Sequence, residues 1–539
     1  MLSSAGSHGS ATSASSHRPG GRALVASPYP RLFGSALLLA AKARVRLWDL
    51  SLHDVEASQM RQLRGILSAA SRTELGRSLG FSSIETYRDF VSRVPLGDYD
   101  TFSPYIERMR RGESNLIVAE RIKYFGNSSG SSTKGKPKFL PVSERQIKFQ
   151  QGSASDALMR YLDHTGDDSF THGFVLGLFP PTTMKREGPV FITSNPALMM
   201  ARLPRVSRPL YLPEGAVRDI PDYDTKLDAI AERYLDHDVR AVTGTTCWFS
   251  LLFDKLLEAA KRRGRKAEHV RDLWPNLRVL IGGGVSAGPY LPIIRERMGR
   301  DDVALVDTYN ATEGGVYACT DHSGERGMLM IPDRGVFFEL VPLEDVDKPS
   351  PRRVPLWEVE RDRLYAIVVT TPSGLYAYKL GDIVRFPSTW PLRMEFAGRL
   401  SGCLSTTQEL TTHVEIEAAV AHAKAKVPCV TIDYGCGADV GVDGSSKSRY
   451  VLFAEFSPDA TPADLGAFTE AFDEGLCREN RVYREHRSGD AAIFAPTLVP
   501  LREGAVRDFM KAIGNTSVQS KFPRIVDDER KKLLRSYSA

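Results

Sequence analysis

Apolar residues recur at helical spacing from about Arg31 to Leu50 and on to about residue 72, which predicts a helical start. A loop region is expected from there to residue 120. From Ile122 to about Phe396, short apolar runs alternate with helical stretches, as in an α/β domain. Val303–Val306 reads as a buried strand, Arg278–Ile281 as another, Gly282–Ser286 as a turn and Pro289–Met298 as a helix. Phe249–Leu257 reads as an apolar helix. Two strand-like runs, Tyr365–Thr371 and Leu375–Lys379, are joined at Pro372-Ser373-Gly374. Past Arg399 the character changes to a smaller α+β set: helix Val414–Ala425, strand Tyr450–Phe456, helix Pro462–Arg478 and strand Ala491–Leu498. The expected division is therefore a disordered tail over 1–20, an N-terminal α/β domain over 21–399 and a mobile α+β C-terminal domain over 400–539. A hinge is expected near Leu400–Leu404.

Composition narrows the function classes. At 539 residues the chain is long enough for more than one domain, and its net charge of +5 is small for that length. The basic run Lys261-Arg262-Arg263-Gly264-Arg265-Lys266 has no aromatic ladder beside it and reads as the solvated end of a helix, not a nucleic-acid patch. Six scattered cysteines form no Cys-x-x-Cys pair, which fits a reducing cytoplasm. The apolar run Ala36–Ala41 is far too short to span a bilayer. His322 and His413 read as an exposed loop position and a surface residue at a helix start.

Chemistry enters with the run Ser128-Ser129-Gly130-Ser131-Ser132-Thr133-Lys134-Gly135-Lys136-Pro137-Lys138. Glycines let backbone N–H groups converge on an anion, hydroxyls add donors and lysines add charge. Gly130-x4-Gly135-Lys136 begins a Walker A motif, but Pro137 stands where that motif needs a Ser or Thr ligand for Mg²⁺. A P-loop ATPase is excluded. Asp307-Thr308-Tyr309-Asn310-Ala311-Thr312-Glu313-Gly314-Gly315 follows the Val303–Val306 strand. Tyr309 offers a ring for a base, Thr312 a phosphate donor and Glu313 a carboxylate for Mg²⁺. Tyr376-Ala377-Tyr378-Lys379-Leu380-Gly381-Asp382 ends on an acid suited to accept from ribose hydroxyls, and Arg399 adds a donor. Gly282-x-Gly284 lacks the third glycine of a dinucleotide fingerprint.

These three motifs, in this order, resemble the adenylate-forming superfamily of acyl-CoA ligases, peptide-synthetase adenylation domains and luciferases. Within it the chain is most similar to the acyl acid–amido synthetases first known as auxin-responsive Gretchen Hagen proteins, which include bacterial members. The resemblance covers nearly everything after residue 60. It is carried by Thr73-Glu74-Leu75-Gly76-Arg77, Leu273-Trp274-Pro275-Asn276-Leu277, Pro332-Asp333-Arg334-Gly335, Gly374-Leu375-Tyr376 and Gln519-Ser520-Lys521-Phe522-Pro523-Arg524, beside the motifs above. Two departures stand out: Ser131 replaces a usual Thr, and Thr407-Gln408-Glu409-Leu410 stands where Gly-Glu-Lys-Leu is usual.

The resemblance implies a large N-terminal adenylate-forming domain with mixed sheets and a mobile C-terminal domain. It implies ATP and Mg²⁺ as cofactors, and a carboxylic acid and an amine or amino acid as partners, in a cytoplasmic monomer. By it, Ser128, Ser129, Ser131, Ser132 and Lys136 cradle the phosphates, with Tyr309, Thr312, Asp382 and Arg399 completing the nucleotide site. Glu313 is expected to hold Mg²⁺ and Lys521 to reach the α-phosphate. Gly283, Gly284, Val285 and Thr245 are expected beside the adenine and acyl group. A coenzyme A ligase, with the same first step, and a non-catalytic nucleotide-binding protein remain as alternatives.

Overall fold

The computed structural model describes residues 24–25 and 32–539 apart from 132–136, 206, 222, 285–286, 288–290, 405, 407–408, 410, 441, 445–446, 491–492 and 516–520. The predicted helical start is present as Leu32–His53 and Val55–Ala70. The expected loop region up to residue 120 is instead largely helical, over Glu74–Ser78, Tyr87–Arg93 and Tyr99–Arg110. The periodicity there is masked because each helix is short and capped by a polar residue: Thr73, Thr86 and Asp98 each accept a backbone N–H of the first turn.

A twelve-stranded sheet organises most of the chain. In its parallel half, Ala304–Ala311, Val279–Gly283, Val239–Gly244, Phe174–Leu178 and Tyr211–Leu212 lie side by side in that order. The other half is antiparallel and continues from Ala304–Ala311 through Gly315–Cys319, Met328–Met330, Leu392–Arg399, Tyr378–Thr389, Leu364–Thr370, Phe337–Pro342 and Val354–Pro355. A four-stranded sheet holds the hairpin Tyr124–Ser131 with Pro137–Val142, plus Val190–Thr193 and Lys185–Glu187. Beyond residue 411, helices His413–Lys426 and Leu465–Glu479 pack with the sheet Thr431–Val440, Ser448–Phe456 and Ile493–Leu501. Each segment predicted there is present, within a few residues at its ends. Among the described residues no helix is long and apolar enough to cross a membrane.

The largest core runs from Trp48 through Tyr161 to Tyr309, Tyr317, Tyr376 and Tyr378. A separate core packs Leu176 and Val242 against Phe249, Leu252 and Trp274. Fully buried aromatic side chains dominate both, each contributing about 2–3 kcal/mol of apolar burial.

One charged cluster ties the first helix to the rest. Asp156, 1 % exposed on the long helix Glu144–Thr165, accepts bidentate hydrogen bonds from Arg44 (2.8 and 2.8 Å) and Arg334 (2.6 and 2.6 Å). Arg44 also bridges to Asp333 at 2.8 Å. Burial alone would raise the Asp156 carboxyl, but the bonds from Arg334 and Arg44 outweigh it and hold the group below the usual carboxylate range. Its stabilisation is therefore complete above the unfolded carboxylate pKa of about 4 and is lost as pH falls through the depressed value. Asp156→Asn should cost about 3–5 kcal/mol at pH 7, because Arg334 loses its partner carboxylate and Arg44 is left with Asp333 alone. Denaturant unfolding across pH checks this, and the gap to the parent protein should shrink below pH 4.

Candidate active site

The expected nucleotide residues gather where the two halves of the large sheet fold towards each other. Tyr309 lies on Ala304–Ala311 and Asp382 on Tyr378–Thr389, four strands apart in the sheet order. Four spacings in a flat sheet would separate them by about 19 Å. Yet Tyr309 Oη donates to Asp382 Oδ2 at 2.7 Å. The sheet must therefore curl, and the Tyr309 ring fills the bend against Tyr317 (5.6 Å) and Phe396 (5.9 Å). The ring expected to face a base is 7 % exposed.

Asp382 is 4 % exposed and sits opposite Arg399 in the strand register. Arg399 Nε lies 3.0 Å from Asp382 Oδ1 as an ion pair, too poorly aligned for a hydrogen bond, so Oδ1 remains a buried acceptor short of donors. Burial pushes the Asp382 carboxyl up, against the pull of Arg399 and the Tyr309 hydroxyl. An underserved buried carboxylate oxygen is costly unless something else donates to it.

Thr312 and Glu313 sit on the turn just after Ala304–Ala311, and the long helix Glu144–Thr165 holds that turn from behind. Gln146 Nε2 donates to Glu313 O at 2.7 Å and Gln150 Nε2 to Thr312 O at 3.1 Å. Gly315, at φ +105°, is needed here, since a Cβ would lie 2.8 Å from Gln150 Cγ. The half-buried Glu313 carboxyl is pushed up to about 7 by burial, with Asp382 adding to the rise and Lys138 and Arg399 opposing it. Tyr317 Oη, buried beneath Gly314, has no hydrogen-bond partner among the described residues.

The phosphate-loop hairpin arrives beside this turn. A Cβ on Gly126 would lie 2.9 Å from Thr312 Cγ2, so the strand Tyr124–Ser131 runs directly past Thr312. The backbone of Ser128 pairs with Lys138 and that of Ser131 with Pro137 across an irregular register, and Ser129 lies between them on the same strand. Ser132 and Lys136 lie outside the described residues, as does Val285. Gly283 and Gly284 end the neighbouring parallel strand. Thr308 Oγ1 donates to Gly282 O at 2.7 Å, and Thr245 Cγ2 would be 3.5 Å from a Cβ on Gly284.

Lys521 is exposed at the edge of the C-terminal unit, and the residues after it are stitched down. Phe522 packs on Phe509 at 5.0 Å, Cys436 N donates to Arg524 O at 2.8 Å, and Arg524 Nε pairs with Glu417 at 3.0 Å. The charges of Arg399, Arg524 and Lys521 all bear on His413, which places Lys521 on the Arg399 side of the unit.

Both histidines differ from expectation. His413 is half-buried against Phe396 at 5.7 Å, and burial lowers its imidazole. His322 is half-buried too, with its ring 5.7 Å from those of Tyr161 and His164. Sequence reasoning missed Gln146, Gln150 and Tyr317, and named Lys138 only as the end of the phosphate-loop run. The i, i+4 spacing of Gln146 and Gln150 behind the Ser143 helix cap was the one available signal.

Comparison with known proteins matches three models in order: the GH3 family N-terminal domain over residues 46–194, the GH3 family central domain over 329–399 and the GH3 family C-terminal domain over 414–530. A jasmonoyl–L-amino acid synthetase, GH3.5 of Oryza sativa subsp. japonica, is 24 % identical across 93 % of this chain and 97 % of its own. Indole-3-acetic acid-amido synthetase GH3.8 of Oryza sativa subsp. indica is 25 % identical across 90 % of each. Among solved structures, the GH3.15 acyl acid amido synthetase superposes with a TM-score of 0.72 at 20 % identity, over 92 % of this chain and 96 % of that one. A 2-hydroxyisobutyryl-CoA ligase in its postadenylation state gives 0.57 at 13 % identity, over 89 % and 91 %. With the three models laid out in order along most of its length, the chain belongs to the GH3 family.

Proposed function

We propose that this protein uses ATP to activate a carboxylic acid as an acyl adenylate and then passes the acyl group to an amine, most naturally an amino acid, releasing pyrophosphate and AMP. The observation that carries this reading is Asp382 Oδ1, a buried acceptor short of donors beside Tyr309 and Arg399, which suits a pair of ribose hydroxyls. Membership of the family and its curated relatives, a jasmonoyl–L-amino acid synthetase and an indole-3-acetic acid-amido synthetase by name, support the amide product.

A carboxylate is a poor acyl donor because oxide is its leaving group. Its oxygen attacks the α-phosphorus, pyrophosphate departs, and the amine then attacks the carbonyl carbon of the mixed anhydride while AMP leaves. The protein's part is positioning and charge neutralisation. Ser128, Ser129, Ser131, Ser132 and Lys136 surround the phosphates in this reading, with Lys138 and Thr312 beside them. Tyr309 borders the base while its hydroxyl fixes Asp382 on the ribose. Gly283, Gly284, Val285 and Thr245 lie along the acyl group. Lys521 neutralises charge between carboxylate and α-phosphate.

Glu313 fits a Mg²⁺ ligand: it is a half-buried carboxylate on the turn beside the phosphate-loop strand, and among the described residues it takes no cation in an ion pair. Mg²⁺ typically takes one or two carboxylates plus phosphate oxygens and waters, and it neutralises phosphate charge when bound. The scattered cysteines, five of them free thiols among the described residues, suit a reducing cytoplasm. The mobile C-terminal domain and a monomeric state belong to the same reading.

Acid-dependent ATP–pyrophosphate exchange across a panel of carboxylic acids tests the first half-reaction. Amines and coenzyme A added in turn then identify the acceptor. No exchange with any acid would overturn the proposal, and product formation with coenzyme A alone would replace the amide by a thioester. Glu313→Gln should lower exchange by at least two orders of magnitude. It should also stabilise the ligand-free protein. A carboxyl raised from about 4.5 to about 7 in the folded state loses stability as pH rises across that window, because folding resists its ionisation. The Tm of Glu313→Gln should therefore exceed the parent's at pH 8 and match it near pH 5.

The two half-reactions separate the role of Lys521. Lys521→Ala should depress acid-dependent exchange by about 100-fold, the scale of losing one preorganised charge. Amide formation from a chemically supplied acyl adenylate should fall far less. Equal losses in both rates would show that the lysine supports the fold or general binding instead.

A further inference from the structure

The parallel half of the large sheet has a topological switch point away from the nucleotide motifs. Phe174–Leu178 sends its chain to Tyr211–Leu212 on one flank, while Val239–Gly244 lies on the other flank and leads on to Val279–Gly283. Ligand crevices open at the carboxyl ends of two such neighbouring strands. Leu178 pairs with Gly244, so the residues just beyond, Phe179 and Thr245, form the two lips of that crevice. Thr245 also borders Gly284. The Phe179 ring folds back over its own strand end, where a Cβ on Gly177 would lie 2.7 Å from it, and Phe249 Cε2 lies 3.5 Å from a Cβ position on Gly282.

The outer lip is pinned in two places. Lys226, 1 % exposed on the helix Tyr223–Tyr234, donates from Nζ to Phe179 O at 2.7 Å. Thr182 donates from both N (2.8 Å) and Oγ1 (2.7 Å) to Asp219 Oδ1. Between the two pins stand Pro180 and Pro181, whose rings fix φ. A buried lysine is expensive, and burial lowers this one to about 8 against the pull of Asp219, while one of its N–H groups donates to the Phe179 carbonyl. Nothing in the adenylation chemistry above uses Lys226 or Asp219.

We propose that Phe179-Pro180-Pro181-Thr182 is a rigid wall of the acyl pocket, that Lys226 and Asp219 are the positioning residues that hold it, and that Phe179 sets the size of the acid activated here. This rests on the adenylation reading. The wall carries one aromatic ring and two prolines. A wall pinned at both ends also sets a fixed depth, so Phe179 determines how long or bulky an acid fits.

The test is pyrophosphate exchange with carboxylic acids of graded size, on the parent protein and on Lys226→Met, Thr182→Val and Phe179→Ala. Lys226→Met and Thr182→Val should raise the KM for the acid about tenfold, a loss of roughly 1.4 kcal/mol, and leave the KM for ATP within twofold. Phe179→Ala should move the preferred acid to a larger one. Should Lys226→Met fail to fold, Thr182→Val and Phe179→Ala decide the matter. An unchanged preference in Phe179→Ala, or acid and ATP KM values rising together in Thr182→Val, overturns the inference while the adenylation reading stands. Absence of exchange with every acid overturns that reading, and this one with it.

Discussion

The hydrogen bond from Tyr309 to Asp382 joins parts of one sheet that hydrogen-bonding alone would keep about 19 Å apart. A strongly curled sheet leaves its concave side to be filled, and here Tyr309, Tyr317, Tyr376 and Tyr378 fill it in a single core. Aromatic residues suit that place because they bring large apolar area with a polar tip, and the tip needs a partner once buried. Tyr309 finds one in Asp382 and Tyr376 finds one in Ile117 O at 2.7 Å. Tyr317 finds none among the described residues, directly beneath the Glu313–Gly314 turn. The bend and the polar site on its rim are thus one feature: the residues that close the curl also leave underserved polar atoms facing the turn.

That rim needs a backing. Glu144–Thr165 runs behind the Thr312–Glu313 turn and spends two glutamine amides on its carbonyls. The same helix carries Asp156 and so is clamped to Arg44 and Arg334. A carboxylate such as Glu313, raised by burial, is held at a disadvantage that only a well-anchored turn can sustain. The ion cluster far along the helix and the charge at the site are therefore mechanically linked through one rigid element.

Much of this was legible beforehand, for identifiable reasons. Strand Ser448–Phe456 and helix His413–Lys426 follow runs whose apolar spacing is unambiguous, and their positions were predicted to within a few residues. Tyr309, Thr312, Glu313 and Asp382 stand out in the sequence as motif residues, and the structure brings them together. The helices between 74 and 110 were not legible because each makes only one to three turns, too few for a period of 3.6 to register. The burial of His322 and His413 was not legible either, since ring packing on Tyr161 and Phe396 depends on residues far away in sequence. The Phe179 lip carried no motif at all. Its meaning comes from strand order, which apolar spacing does not encode.

The departure at Glu409 follows the same logic. A lysine is usual at that point, and its loss looked like a missing contact in the sequence. The structure shows a carboxylate 3 % exposed that accepts from Thr406 N and from Tyr450 Oη, both at 2.8 Å, while Asn480 Nδ2 donates to its backbone carbonyl at 2.8 Å. A lysine in the same place could not accept from Thr406 N, a backbone donor that would then lose its partner. Tyr450, Thr406 and Glu409 are therefore a matched set, in which the acid is fixed by what surrounds it. Thr406 and Glu409 are fastened to the C-terminal sheet through Tyr450, and Cys403 and Leu404 pair with Thr412 and Thr411, which leaves Leu400–Gly402 as the stretch between the last strand of the large sheet and the first paired residue after it. Phe522 and Arg524 fix the residues after Lys521 on the C-terminal unit, so the place of the lysine is set by the unit that carries it.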